Sequence, residues 1–137
     1  MNEDFVTYEI AVKLKEKGFK ELCLAYYTNY DILYYNYYHK AGACYRDCYL
    51  SHNSMPKDSV SGKFVDAPTI SQCLKWLREE YCLHISTKPY PCEDGVMWMY
   101  EVRKFNIYIV AVVANKTGFI KEEQSALSGI ECALSII

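Results

Sequence analysis

The clearest alternation of apolar and polar positions lies between residues 67 and 81, where the spacing predicts an amphipathic helix. Apolar side chains recur three or four positions apart, which places them along one side of a helix; they are Ile70, Cys73, Leu74, Leu77 and Tyr81. Thr69 is placed to cap the first turn, and Gln72 can return a hydrogen bond to the Thr69 amide. The apolar stripe indicates that this helix packs against another element.

The same spacing predicts a helix near each end of the chain. The first begins at Thr7 and runs to about Lys17, with Gly18 placed to take the left-handed conformation that ends many helices. The last begins near Lys121 and has an apolar stripe made of Ala126, Leu127, Ile130, Ala133, Leu134 and Ile137. Each stripe again requires a surface to cover it.

Strand patterns fill two stretches between these helices. Residues 22–28 and 32–38 are rich in aromatic and β-branched side chains and flank a turn-like sequence, which predicts an antiparallel hairpin. Residues 82–87 and 96–104 predict two further strands, joined by a turn-rich connection that contains two prolines. The near-continuous apolar run at residues 107–114 is typical of a central strand that is buried on both faces.

These elements predict an α+β fold in the order α-β-β-α-β-β-β-α, with three helices packed on an antiparallel sheet of about five strands. A chain of 137 residues is the size of one domain, so we expect a single domain at residues 1–137. A long irregular loop at about residues 39–66 interrupts the pattern. Loops of this length in small domains are uncommon and often carry function.

Composition and charge narrow the function classes. Apolar residues make up 51% and charged residues 23%, which excludes a wholly disordered chain. A formal charge of −2 gives no overall attraction to nucleic acid or to anionic membranes. The start of the chain does not match an export signal and no apolar run is long enough to cross a bilayer. We therefore expect a cytoplasmic protein with free thiols and without membrane partners.

Tyrosine is the most unusual component, with 14 copies, many of them in and after the first hairpin. Alternation along the second strand sends Tyr34 and Tyr38 to one face and Tyr35 and Tyr37 to the other, and a helix covers only one face. The predicted interaction residues are Tyr34, Tyr35, Tyr37, Tyr38, Tyr45, Tyr49 and Trp76. Such a surface suits protein binding or base stacking. The alternatives are that these are ordinary strand tyrosines and that Trp76 covers an edge of the core.

Metal ligation and catalysis have weaker support. The candidate metal ligands His39, Cys44, Cys48 and His52 have helical spacing but lack the C-x2-C knuckle of most structural zinc sites. An unliganded loop is therefore favoured, and we expect no cofactor. Cys82 and His84 could share a strand face as a thiol and base, but no third orienting group accompanies them. We find no catalytic constellation, so an enzyme is disfavoured.

Several segments resemble a family of short, uncharacterised proteins from gut Bacteroidales bacteria and their phages and mobile elements. The likeness is clearest in Ala67-Pro68-Thr69 followed by Lys75-Trp76-Leu77-Arg78-Glu79-Glu80, and it extends to the first and last helices. The resemblance leaves the loop after the first hairpin, at about residues 39–66, largely unmatched. The resemblance implies a cytoplasmic protein from a phage-linked or mobile gene, and it brings no activity or functional residue with it.

The function that we predict is a non-enzymatic cytoplasmic interaction protein that binds a protein partner or a copy of itself. The tyrosine-rich sheet face and the loop at about residues 39–66 would supply the contacts. The alternative is a module that binds a nucleotide or single-stranded nucleic acid, with bases stacked on the tyrosines near Lys40, Arg46 and Lys57.

Overall fold

The computed structural model describes residues 4–27, 33–35, 65–106 and 110–137. These residues contain three helices and six strands, and the predicted α+β class is confirmed with the predicted order of elements. The structure adds one short strand, β3, before the central helix. The elements are α1 (Tyr8–Glu16), β1 (Ala25–Tyr27), β2 (Leu33–Tyr35), β3 (Val65–Ala67), α2 (Ile70–Tyr81), β4 (Leu83–Cys92), β5 (Gly95–Phe105), β6 (Val110–Phe119) and α3 (Glu122–Ile136).

The chain divides into two compact units, residues 1–69 and 70–137. Unit 1 holds α1 and an antiparallel sheet in the order β2-β1-β3, and unit 2 holds α2, α3 and an antiparallel sheet in the order β4-β5-β6. The described strands thus form two sheets of three, where one sheet of about five was expected. The expectation of a single domain at residues 1–137 stays a prediction.

Local chemistry sets both ends of α1, as predicted. The Thr7 hydroxyl oxygen accepts a hydrogen bond from the Ile10 amide at 3.3 Å, which satisfies one of the unpaired donors of the first turn. At the other end Gly18 has a φ of +90°, and the Phe19 amide donates to the Leu14 carbonyl at 2.9 Å. The buried side of α1 consists of Ile10, Ala11 and Leu14.

A buried hydrogen bond joins β1 to the segment before α1. The Tyr27 hydroxyl donates to the Val6 carbonyl at 2.7 Å, and the ring of Tyr8 meets the Tyr27 ring edge to face at 5.8 Å between centroids. On the other side of β1, strand β3 is buried along its whole length. Residues 65 and 66, which were expected at the end of the irregular loop, therefore belong to the sheet of unit 1.

The hairpin of β4 and β5 is longer than the sequence indicated. The expected turn-rich connection at residues 88–95 is mostly strand, and the turn itself is Glu93 and Asp94. Pro89 and Pro91 favour a turn by composition, but both lie in β4, at an edge of its sheet. An edge strand tolerates prolines because an amide that points away from the neighbouring strand is not needed for the ladder.

Strand β6 departs furthest from expectation. It was predicted as a central strand buried on both faces, but it lies at the edge of the β4-β5-β6 sheet and eight of its ten residues are exposed. It also continues past the expected end to Phe119. Strand β5 takes the inner position of this sheet, and β6 pairs only with β5 among the described strands.

Helix α3 lies close against the covered face of this sheet. A Cβ atom at Gly129 would lie 2.8 Å from Ile85 Cγ2 and 3.2 Å from Tyr100 Cγ, so the helix backbone approaches β4 and β5 directly. Helix α2 buries Cys73, Trp76 and Leu77. None of the helices in the described residues is long and apolar enough to cross a membrane.

Candidate interaction surface

Most of the predicted interaction and metal residues fall outside the described part of the chain. Tyr34 and Tyr35 lie in β2 opposite Tyr26 and Ala25, and only their backbone is described. The other positions lie outside the described residues, and their roles stay predictions; these positions are Tyr37, Tyr38, Tyr45, Tyr49, His39, Cys44, Cys48 and His52. The described residues contain no group of three or more side chains that could hold a metal ion.

Trp76 is inside the packing of α2 and is only 6% exposed. Its ring meets the Tyr81 ring edge to face, with centroids 5.2 Å apart. The buried side of α2 therefore includes Trp76 as well as the predicted Cys73 and Leu77. Its indole does not contribute to an exposed surface.

Cys82 and His84 do not share a strand face. Cys82 ends α2 with a φ of +55°, a left-handed conformation that is uncommon for residues other than glycine, and β4 begins at the next residue. The five described cysteines are free thiols. Burial raises the pKa of the Cys73 thiol from 9.0 to about 12, which keeps that sulfur protonated and unreactive at neutral pH.

The sheet of unit 2 has one face that packs against α3 and an opposite face that points away from α3. Ile85 and Tyr100 face α3, as their closeness to Gly129 shows. Side chains alternate along a strand, so the neighbouring positions belong to the opposite face. Strand pairing aligns His84 with Arg103 and Arg103 with Val112, and Phe105 with Val110. We call this second face the open face.

Apolar side chains are exposed where the open face meets the outer edge of β6. Val110 is 54% exposed, Val112 48% and Val113 43%. Phe105 on β5 is also exposed, and its ring meets the His84 ring edge to face at 5.8 Å. We call Phe105, Val110, Val112 and Val113 the β6 edge patch. Contiguous exposed apolar side chains are typical of surfaces that bind another molecule.

Charges beside the β6 edge patch are partly paired, because two cations share one carboxylate. The Glu101 carboxylate accepts hydrogen bonds from Arg103, at 2.8 Å from Nε and 2.6 Å from Nη2, and Lys88 Nζ lies 3.6 Å away. The Arg103 hydrogen bond is the main cause that lowers the pKa of Glu101 below its usual value, and the charges of Arg103 and Lys88 add to it. Arg103 and Lys88 are thus both engaged by Glu101, which reduces the charge that they offer to a phosphate.

Sequence reasoning missed the β6 edge patch because it treated residues 107–114 as core. A run of small and β-branched residues has the same composition whether its second face is covered or open. One available signal was the polar stretch Asn115-Lys116-Thr117, which continues the same strand and suits an exposed edge.

Comparisons of the chain with protein-family models, with curated proteins and with solved structures find no match. The resemblance to the Bacteroidales and phage-linked family therefore stays a prediction.

Proposed function

We propose that this chain is a non-enzymatic cytoplasmic protein that works by binding another protein, with the β6 edge patch as its contact surface in unit 2. One observation carries the proposal: three valines of the edge strand β6 are exposed beside the exposed Phe105 of β5. The outer backbone groups of an edge strand can pair with an added strand, and the adjacent side chains lose water on contact. Both effects favour a protein partner.

The alternative, binding of a nucleotide or single-stranded nucleic acid, receives less support from the described residues. Such binding needs cations that are available to phosphates and aromatic rings that are available to bases. Beside the β6 edge patch, Arg103 and Lys88 are both engaged by Glu101. Trp76 is buried.

Site-specific photo-crosslinking tests the proposed function. A benzophenone amino acid is placed at the position of Val112 in the full chain, and the cells that express it are irradiated. We expect a discrete protein adduct, because a bound strand lies within reach of this side chain. The matched control is the same amino acid at Val96, an exposed valine of the same sheet that is not on the β6 edge.

The adducts formed at the Val112 position are compared with those formed at the Val96 position. A protein adduct at the Val112 position that is missing from the Val96 position supports the proposal, whether the captured protein is a copy of this chain or another protein. The same adducts at both positions, adducts with nucleic acid, or no adduct at all would show that the β6 edge patch is not a protein-binding surface.

A further inference from the structure

We propose that the partner at the β6 edge patch is an extended acidic segment of a different protein. The segment adds to β6 as a strand, with apolar side chains on the open face and carboxylates on the face that packs against α3. This inference rests on the proposed function and names the chemistry of its partner. Two features of unit 2 support it: the excess of cations in the sheet, and the separation of apolar and basic side chains between the two sides of β6.

Cations outnumber carboxylates in the sheet of unit 2. Strands β4, β5 and β6 contain one carboxylate, Glu101, and four cations, which are Lys88, Arg103, Lys104 and Lys116. The formal charge of the whole chain is −2, so this sheet differs in sign from the chain as a whole. Complementary charge draws a partner to a surface and rejects partners of the same sign. The sheet therefore favours a negatively charged partner.

Two of these cations are available to a partner. Lys104 and Lys116 are exposed and form no ion pair with any described residue, in contrast to the two cations that Glu101 engages. The Lys116 ammonium lies 5.9 Å from the centre of the Phe119 ring. A ring contact of this kind attracts the ammonium but does not neutralise it, so its N–H donors can still meet a carboxylate.

The two sides of β6 differ in chemistry. Lys116 aligns with Tyr100, which packs against α3, and Lys104 lies four positions beyond Tyr100 on the same strand. Cross-strand partners share a face, and an even separation along a strand preserves it, so both lysines belong to the face that packs against α3. Val110 and Val112 belong to the open face. An added strand thus meets apolar side chains on one side and ammonium groups on the other.

Lys104 can take part although it lies on the inner strand. Its partner on β6 is Ala111, whose methyl group is all that stands between Lys104 and the outer edge at this level. Neighbouring strands lie about 4.8 Å apart, and the flexible four-carbon stem of a lysine can extend over a small residue of the next strand. A carboxylate on the added strand is therefore within the range of Lys104 as well as of Lys116.

A lysine on an edge strand also selects against other partners. Lys116 repels a strand that carries a cation at the facing position, and an apolar side chain there would cover its ammonium without a partner. Residues 110–119 contain no carboxylate, so a second copy of β6 would not supply the opposite charge. A strand with carboxylates on this face keeps the backbone pairing and also pairs the ammonium groups.

Binding of synthetic peptides to the full chain tests the charge of the partner. The probes are short fluorescent peptides with capped ends in which valine alternates with glutamate, with lysine or with serine, and fluorescence anisotropy measures their affinities. We expect the valine–glutamate peptide to bind more tightly than the valine–serine peptide, by about two- to fivefold for each lysine that it meets. The valine–lysine peptide should bind most weakly, and added salt should reduce these differences.

Charge reversal on β6 identifies the residue that sets this preference. In Lys116→Glu, the ratio of the affinities for the glutamate and lysine peptides should shift by about tenfold towards the lysine peptide, because attraction becomes repulsion and the reverse. The matched control is Lys75→Glu, which makes the same change of charge at an exposed lysine of α2 and should keep the order of the parent chain. Circular dichroism checks that both variants are folded.

The outcomes decide between an acidic strand and other partners. A preference for the valine–glutamate peptide that Lys116→Glu shifts and Lys75→Glu keeps supports the inference. Equal affinities for the three peptides, a preference for the lysine peptide, equal effects of the two variants, or no binding of any peptide would overturn it. Tighter binding of a single-stranded oligothymidylate than of the valine–glutamate peptide would also overturn it, in favour of nucleic acid.

Failure of this inference differs from failure of the proposed function. If the Val112 position crosslinks specifically to a protein while the peptides show no preference for glutamate, the acidic partner is refuted and the proposed function stands. If neither a specific crosslink nor a peptide preference is found, both are refuted.

Discussion

Replacement of Gly129 by alanine is the sharpest test of how α3 meets its sheet. Glycine in the middle of a helix is costly, and an alanine at an exposed helical site would stabilise the protein by about 1 kcal/mol. Gly129 is buried, and a Cβ atom there would lie 2.8 Å from Ile85 Cγ2 and 3.2 and 3.3 Å from Tyr100 Cγ and Cβ. The two effects of a methyl group, helix propensity and crowding, therefore oppose each other.

Crowding should outweigh helix propensity. A distance of 2.8 Å is well below van der Waals contact, and Tyr100 Cβ is held close to the backbone of β5, so the helix or the sheet has to move. Such overpacking costs about 1–3 kcal/mol, and when it opens gaps elsewhere along the helix the loss increases. We expect Gly129→Ala to lower the free energy of unfolding by up to about 2 kcal/mol after the gain in helix propensity is subtracted.

Urea denaturation, followed by far-ultraviolet circular dichroism, measures this difference. Ile85→Ala removes the Cγ2 atom that crowds the site, so Gly129→Ala should cost less in that background by about 1 kcal/mol. Gly118→Ala is the matched control: Gly118 has a φ of +94° and no atom close to its Cβ position, so its cost comes from the backbone and should not depend on Ile85. A Gly129→Ala protein that is more stable than the parent would refute the close approach of α3.

Two further outcomes are expected. Tyr27→Phe should lower the free energy of unfolding by about 1–2 kcal/mol in urea denaturation, because it leaves the buried Val6 carbonyl without its donor. The control Tyr90→Phe removes an exposed hydrogen bond with the Gly118 amide and should cost far less. Equal losses in the two variants would contradict this prediction. Since burial raises the pKa of Cys73 from 9.0 to about 12, the stability that the neutral thiol contributes is present below pH 9 and is lost as pH rises towards 12. Cys73→Ala should reduce the fall in the free energy of unfolding between pH 9 and pH 12, measured by urea denaturation at several pH values. An unchanged dependence on pH would contradict this prediction.

The helices could be predicted because their signals are local. Thr7 caps α1 through its own hydroxyl and Gly18 ends it through its own backbone freedom, so neither depends on distant parts of the chain. The apolar stripe of α3 also matches its buried residues closely. Gly129 and Ser125 lie on that buried side as well, where small size matters more than hydrophobicity.

The strands of unit 2 could be predicted in their order, but not in their full extent or exposure, because these depend on the rest of the fold. Pro89 and Pro91 are turn signals in isolation and are tolerated in β4 only because that strand is an edge. Valines such as Val110 and Val112 are typical of core strands. Only the sheet order shows that one side of β6 has no neighbour among the described strands. The candidate surface was missed for the same reason.

Pro89 and Pro91 have a consequence for the size of any assembly. A sheet grows without limit only when both of its borders accept new strands, as in fibrils. Two missing donors make the β4 border of the unit 2 sheet a poor template, so an added strand is expected at the β6 border. With only one border open to new strands, the sheet of unit 2 is a poor seed for a fibril.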